Sequence, residues 1–285
     1  MRQRFLIIGI ALFMAGSALA EPLRVMTYNV WLGFGKKKTI DAGIKWIASQ
    51  NCAVIALQEL KGFNQKRLKI VAQKWGHNYA VIFDRKGGFP QGLTSKTPIE
   101  KIEQIQPENN PKLRGTLHCK TAGIHFFIVH FDPHNYLHRR KEASAVAKRV
   151  IPLVKTGEKV IVLGDFNAHS IADKEFLASQ TVLLEKLRAK EDSRHRAFDE
   201  NGNLDFSTVQ TLLDAGLTDP STHSLPTFPT RLLFQETDPA EFSCLQERID
   251  FILVSPPLAG GIILYPRDEV LNTISDHYPV IFELK

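Results

Sequence analysis

The chain is poor in cysteine: 285 residues contain only Cys52, Cys119 and Cys244, too few and too scattered for a disulfide framework or a Cys-type zinc site. Any metal must therefore be held by oxygen or imidazole. An odd count leaves at least one thiol unpaired within the chain, and neither a Cys52–Cys119 nor a Cys119–Cys244 bridge has support in the sequence. Long apolar runs are missing beyond the N-terminus, and no linker or low-complexity tract interrupts the chain after Leu23, so one domain is expected. With 44% apolar and 23% charged residues, disorder and collagen are excluded. The length is enough to bury a substantial core.

The one apolar run stands at the N-terminus. Arg2 and Arg4 precede Phe5 to Ala15, and the segment closes on Ala18-Leu19-Ala20, the charged, apolar and small-residue regions of a secretory signal. The run is shorter than the roughly 20 residues that span a bilayer. The expected organisation is a cleaved signal over 1–20 and a catalytic domain over 21–285, exported to the periplasm or the medium with no stable membrane anchor. Cleavage removes two positive charges and leaves 34 basic against 30 acidic residues, a net charge of +4. That is a mild bias toward anionic partners, and plain solubility explains it as well.

From Leu23 onward, short apolar runs alternate with helix-period segments. The pattern predicts a strand over Leu23–Trp31, a helix carrying Ile40, Ile44 and Ile47 on one face, and a strand over Ala53–Leu57. A helix over Gln65–Trp75 and strands over Tyr79–Phe83 and Gly92–Ser95 follow. Leu113–Lys120 and Ile124–Phe131 flank a Thr-Ala-Gly turn and read as an antiparallel hairpin. The second half repeats the rhythm: Ala143, Val146, Ala147 and Val150 line a helix, Lys159–Leu163 is a strand, and a helix lies near Leu204–Ala215. Arg248–Ser255 and His277–Leu284 are two more strands. Two such α/β halves, each with a sheet to cover on both faces, fit two packed mixed β-sheets flanked by helices.

Acids, amides and histidines fall at the ends of these strands. Asn29 closes the first, Gln58-Glu59 follows Val54–Leu57, His130 ends Phe126–Val129, and Asp165 and Asn167 follow Val160–Gly164. Asp250 lies inside a run of apolar residues, and Asp276-His277 opens the last strand. Taken singly, Asn29, Asn167 and Asp165 fit turns or caps, and Glu59 fits the solvated start of a loop. Asp250 within a strand is harder to place that way. Burying polar groups beside apolar strands costs about several kcal/mol each unless they are paired or bind an ion. A shared site offsets that cost for all six positions.

Tyr28-Asn29-Val30, Leu57-Gln58-Glu59, Gly164-Asp165-Phe166-Asn167, Arg248-Ile249-Asp250-Phe251 and Ser275-Asp276-His277-Tyr278-Pro279 resemble, in order, the motifs of the endonuclease/exonuclease/phosphatase superfamily. That group includes secreted deoxyribonucleases, abasic-site endonucleases, neutral sphingomyelinases and inositol polyphosphate 5-phosphatases. The resemblance covers 23–284 and implies a four-layered α/β sandwich with its site at one edge of the packed sheets. It implies hydrolysis of a phosphate ester by water with a divalent cation, Mg²⁺ first and Mn²⁺ as an alternative. By the same resemblance Glu59 is the first metal ligand, with Asn29 and Asp276 beside it, and Asn29 is equally an orienting hydrogen-bond donor to Glu59 or to the phosphate. His277 matches the catalytic histidine and Asp250 its carboxylate partner. Asp165 matches a water-orienting or base carboxylate, and Asn167 a phosphoryl-binding amide. His130 matches a second catalytic histidine that some members carry, with His134 close by.

The local motifs are most similar to those of the abasic endonucleases, whereas export argues against genome repair. The 5-phosphatase branch carries Cys-Asp-Arg where this chain has Arg248-Ile249-Asp250, and a single aromatic at Phe89 is little of the membrane-touching hairpin of sphingomyelinases. The expectation is an exported phosphodiesterase, a nuclease first, acting as a monomer on a phosphate-ester substrate such as nucleic acid. Lipid or sugar-phosphate hydrolysis and an inactive binding module of the same fold are the alternatives. Basic runs at Lys36–Lys38 and His138–Lys141 could grip a polyphosphate backbone or be solvated faces.

Overall fold

The computed structural model describes residues 22–83, 88–107, 110 and 113–285; the expected signal over 1–20 lies outside them. One six-stranded mixed sheet contains β1 (Leu23–Asn29), β2 (Val54–Gln58), β3 (Tyr79–Phe83), β4 (Gln91–Ser95), β10 (Ile262–Leu264) and β11 (Val280–Leu284), in the order β10-β11-β1-β2-β4-β3. A five-stranded sheet runs β5-β6-β7-β8-β9, with β5 at Ile99–Ile105, β6 at Thr116–Thr121, β7 at Ile124–His130, β8 at Val160–Asp165 and β9 at Asp250–Val254. The helices of the first half are α1 (Ile40–Ser49) and α2 (Gln65–Gln73). Those of the second half are α3 (Tyr136–Lys155), α4 (Lys174–Ser179), α5 (Thr181–Ala189), α6 (Ser207–Asp214) and α7 (Pro239–Ser243).

The two-residue period of a strand sends successive side chains into different layers. Met26, Tyr28, Ile55 and Leu57 point outward from the first sheet and pack under Ile44 and Ile47 of α1 and Leu68 of α2. Their neighbours Val25, Val54 and Ala56 face the second sheet and meet Leu117, Phe126, Ile128 and Leu163. On the far side, Phe127, Val129 and Val162 lie under Ala143 and Val146 of α3 and Leu212 of α6. Three apolar layers between four structural layers make the α/β sandwich, and they explain why the central strands read as continuous apolar runs.

Two expected strands differ in extent for a physical reason. The first stops at Asn29 because Trp31, Leu32, Gly33, Phe34 and Gly35 all take positive φ, a left-handed turn that leaves the sheet. The last begins at Val280 rather than His277, so Asp276 and His277 sit on the approach to the strand. The 121–124 hairpin turns on Ala122 and Gly123, both at positive φ, the turn geometry that matches strand twist. Four features lack a sequence expectation: the edge strand β5, the three-residue β10, the α4–α5 pair and the short α7. All three cysteines are free, with Cys52 and Cys119 buried. No helix among the described residues is long and apolar enough to cross a membrane.

Candidate active site

Register brings the strand-end residues together. The parallel pair β1/β2 places Asn29 opposite Gln58, one residue before Glu59, and the parallel pair β7/β8 places His130 opposite Asp165. Antiparallel β9 then sets Asp250 directly against Asp165. β11, antiparallel to β1, pairs Val280 with Thr27, and the chain just before it carries His277 back over Asn29. All six positions thus meet at one edge of the sandwich.

Backbone strain marks the same edge. Glu59 has φ 57 and Asn167 φ 47, left-handed conformations that a non-glycine residue holds only where its surroundings enforce them. Between the two central strands only glycine fits at 164, since a Cβ there would stand 1.9 Å from the Val129 carbonyl oxygen.

His277 and Asp250 form the deepest pair. Nδ1 of the imidazole lies 2.8 Å from Asp250 Oδ2, and both side chains are almost completely buried. Burial alone would lower the His277 pKa, but the carboxylates of Asp250 and Asp165 override it and hold the ring well above its ordinary value, as an imidazolium. The chain preceding β11 is fastened by Ser275, whose Oγ donates to the Asn29 carbonyl at 2.6 Å and accepts from the His277 N–H at 3.2 Å. Thr227 Oγ1 accepts from the N–H groups of both Ile249 and Asp250, and the Phe228 ring packs 4.9 Å from the imidazole.

Asp165 sits at the centre. Its Oδ2 accepts from Asn29 Nδ2 at 2.9 Å and lies 3.5 Å from His130 Nε2 and 3.8 Å from His277 Nε2. Burial first, and then the neighbouring Asp250, raise its pKa strongly, against the pull of His277 and of the hydrogen bonds from Asn167 and Asn29. A carboxylate poised toward neutral pH is suited to take a proton from water.

Of the two readings of Asn29, ligand or orienter, the hydrogen bonds support the orienter. Its Oδ1 accepts from Trp31 N–H at 3.1 Å while its amide donates to Asp165, so the group it orients is Asp165 rather than Glu59. Asn167 reaches the edge too, with one amide N–H spent on the Phe131 carbonyl at 3.1 Å. His130 is buried beside Asp165, and the Arg114 guanidinium donates to its Nε2. Burial first, then Arg114 and His277, keep its pKa well below the ordinary value, which favours the neutral ring. His134 lies apart from this centre, in edge contact with His195.

Glu59 and Asp276 stand at the mouth, where their side chains keep 17% and 13% exposure while Asp250 and Asp165 keep 1% and 2%. Glu59 Oε2 accepts the Leu32 N–H, at 3.0 Å. Asp276 is raised to about 6 by burial and by repulsion from Glu59 and Asp250, against the pull of His277. Two oxygen donors that repel one another at the solvent-facing side fit a hard divalent cation, which takes one or two carboxylates and keeps several waters. A tighter cluster exists deeper, where single atoms of Asp165, Asp250 and His277 lie within 4.8 Å of one another. There the imidazole is already hydrogen-bonded to Asp250, and nitrogen is a poor ligand for Mg²⁺, so this trio fits proton handling and Glu59 with Asp276 fits the ion.

Two site residues have no sequence motif. Arg114 approaches Asp165 and Glu59, and its guanidinium lies 5.1 Å from the centre of the Phe89 ring, which itself packs against His130. Glu142, fully buried on α3, accepts from the backbone N–H of Arg114 and from that of Asp132 at 2.8 Å, tying the loop that carries Arg114 to the one that follows His130. Two charged residues on an otherwise apolar helix face, Arg139 and Glu142 beside Ala143 and Val146, are the signal that marks it. Burial, opposed by the two N–H donors, raises Glu142 to about 8 from an ordinary 4.5. Between those values the folded chain keeps a proton that the unfolded chain releases, so stability falls as pH rises. Glu142→Gln should flatten that fall, read as a smaller difference in urea midpoint between pH 5 and pH 8.

The sequence model of the Endonuclease/Exonuclease/phosphatase family matches residues 26–277. The chain belongs to that family and is a hydrolase acting on phosphate esters. No curated protein matches it. Among solved structures, an AP endonuclease from Archaeoglobus fulgidus superposes with a TM-score of 0.69 at 19% identity, over 92% of this chain and 99% of that one. A variant of the 3′ phosphatase NExo from Neisseria, bound to product DNA hairpin, gives 0.66 at 19% identity, over 92% and 99%. The 3′-5′ exonuclease (NExo) from Neisseria Meningitidis gives 0.65 at 19%, over 92% and 100%. At such identity these likenesses speak for the fold.

Proposed function

We propose that this family member is an exported, divalent-metal-dependent phosphodiesterase whose substrate is nucleic acid. The observation that carries the reading is the contact of Asp165 with Asn29, His130 and His277 at one sheet edge, with Asp250 behind the imidazole. Water attack on a phosphodiester needs a proton acceptor and positive charge near the phosphoryl oxygens. Asp165 is the acceptor, held in place by Asn29. The His277 imidazolium, oriented by Asp250, donates to a phosphoryl oxygen, and the remaining N–H of the Asn167 amide supplies a second donor. Glu59 and Asp276 would hold a divalent cation, Mg²⁺ or Mn²⁺, which would supply positive charge to offset the negative charge developing on the phosphoryl oxygens.

Several features favour nucleic acid over a lipid or sugar phosphate. Lys36–Lys38 and Lys61 are exposed on the Glu59 side of the mouth, and the Phe89 ring packs there with both Lys61, at 5.8 Å, and Arg114, at 5.1 Å, pairing cations with an aromatic side chain on which a base can stack. The neighbours that act at DNA share the fold. Export rests on the N-terminal pattern of Arg2 to Ala20.

Purified chain should hydrolyse single-stranded or duplex DNA in the presence of Mg²⁺ and leave sphingomyelin and inositol polyphosphates intact. Turnover of either of the latter in preference to DNA would overturn the substrate assignment. Arg114→Ala should raise KM for an oligonucleotide on the order of 10-fold with a smaller change in kcat, measured by steady-state kinetics.

A further inference from the structure

Beside the catalytic edge, α3 and the end of β5 enclose a cleft of about 660 Å³ that the reaction does not use. Ile105 and Pro107 on one side and Leu137 and Ala145 on the other form its apolar walls, and Arg140, Lys141, Lys148 and Arg149 line it. Among the described residues its lining has four cations and no carboxylate; of the four, Arg149 is hydrogen-bonded to Glu103 and Lys141 is engaged as well. Two other clefts of comparable size are balanced: Lys174 and Arg188 meet Asp199 and Asp205 in one, and Arg139, Lys190 and Arg196 meet Glu191, Asp192 and Glu247 in the other. Glu103 accepts from Arg149 Nε at 3.2 Å at the far end of the basic cleft.

The placement is as informative as the charge. Ile105 pairs with Thr116 at the start of β6, and Leu117 with Ile128 of β7, so the upper end of the cleft opens at the level of His130. α3 begins six residues after His130 and descends along the cleft. Its basic run divides there: Arg139 turns inward, buried, and donates to the Asp132 carbonyl, whereas Arg140 and Lys141 remain exposed in line with Lys148 and Arg149. From Arg140 to Lys148 the helix advances about 12 Å, long enough for more than one phosphate of an extended strand to lie along it.

We propose that this cleft is an exosite for the phosphodiester backbone of a single nucleic-acid strand leading away from the reacting phosphate. It rests on the phosphodiesterase reading for its role but not for its binding, which needs no turnover. The strand's phosphates lie along the α3 cations. Affinity is therefore electrostatic, independent of base and steep in salt.

The test is fluorescence anisotropy of 20-mer oligo-dT and oligo-U with the full chain in EDTA, across a salt series, beside kcat/KM on bis(p-nitrophenyl) phosphate with Mg²⁺. The variant Arg140→Ala/Lys141→Ala/Lys148→Ala should weaken oligonucleotide binding on the order of 10- to 100-fold and reduce the salt slope by about 2, leaving turnover of the small diester unchanged. Lys155→Ala/Lys174→Ala/Lys186→Ala removes the same charge from exposed positions outside the cleft and should bind as the parent does. Equal loss in both variants, or none in the first, overturns the exosite. So does cleft-dependent binding to phosphatidylglycerol vesicles without oligonucleotide binding. Cleft-dependent oligonucleotide binding in a chain that cleaves no diester keeps the exosite and rejects the phosphodiesterase reading instead. The two oligonucleotides separate a DNA from an RNA preference.

Discussion

His277→Ala should lower kcat for phosphodiester hydrolysis by about 10³-fold while the chain stays folded. The imidazole makes one strong contact, to Asp250 at 2.8 Å, and its other nitrogen faces Asp165 and Asn29 at 3.8 and 3.4 Å, where a substrate oxygen can displace the looser contacts. The loss removes a cation from a centre otherwise dominated by Asp165, Asp250, Asp276 and Glu59, so the effect falls on the transition state more than on binding. Asp250→Asn separates the two ways the ring can act. Without the carboxylate, burial dominates and the His277 pKa falls from its raised position. If the imidazolium is the working form, as the surrounding carboxylates indicate, the alkaline limb of the kcat profile moves to lower pH. A shift of the acid limb, with activity gained below neutrality, would assign the ring as a base.

Asp165→Asn should cost a similar factor, about 10³-fold in kcat with KM little changed. The amide keeps the shape of the side chain but only one acceptor oxygen, where Asp165 offers Oδ2 to the Asn29 amide and Oδ1 to the Asn167 N–H, and it accepts no proton. Because Asp165 is raised by burial and by Asp250, its charged form is disfavoured in the folded chain. Its contribution to stability is greatest at low pH and is lost as pH rises toward its folded pKa. The substitution should therefore leave the melting temperature at pH 8 unchanged or higher, the signature of a group retained for chemistry at the expense of stability. A variant that lost both activity and melting temperature would make Asp165 a structural residue.

The strands that build the site were legible because their residues are buried on both faces and their polar ends stand out against apolar runs. Asn29, Glu59, His130, Asp165, Asp250 and His277 fall where strands stop or start, and register does the rest. β5 was not legible: Ile99, Ile102 and Ile105 recur every third residue, and the register shift between Ile99 and Lys101 breaks the two-residue alternation. β10 spans three residues, too short for a periodicity. α5 does carry helical spacing in Leu183, Leu184 and Leu187, yet only Leu183 is buried. Arg114 belongs to no motif, since nothing local distinguishes one arginine before Gly115; only the fold lays it across His130. The role of Asn29 is open in the sequence because an amide can ligate or orient, and its contacts with the Trp31 N–H and Asp165 fit the orienting role.

The most direct test is hydrolysis of bis(p-nitrophenyl) phosphate by the metal-stripped chain and by Glu59→Gln across a Mg²⁺ titration. The parent should be inactive after EDTA treatment and recover fully with Mg²⁺, and Glu59→Gln should need on the order of 10-fold or more Mg²⁺ for half-maximal recovery. Undiminished hydrolysis after EDTA, or a Glu59→Gln titration identical to the parent's, would contradict a shared cation and phosphoryl site at this sheet edge.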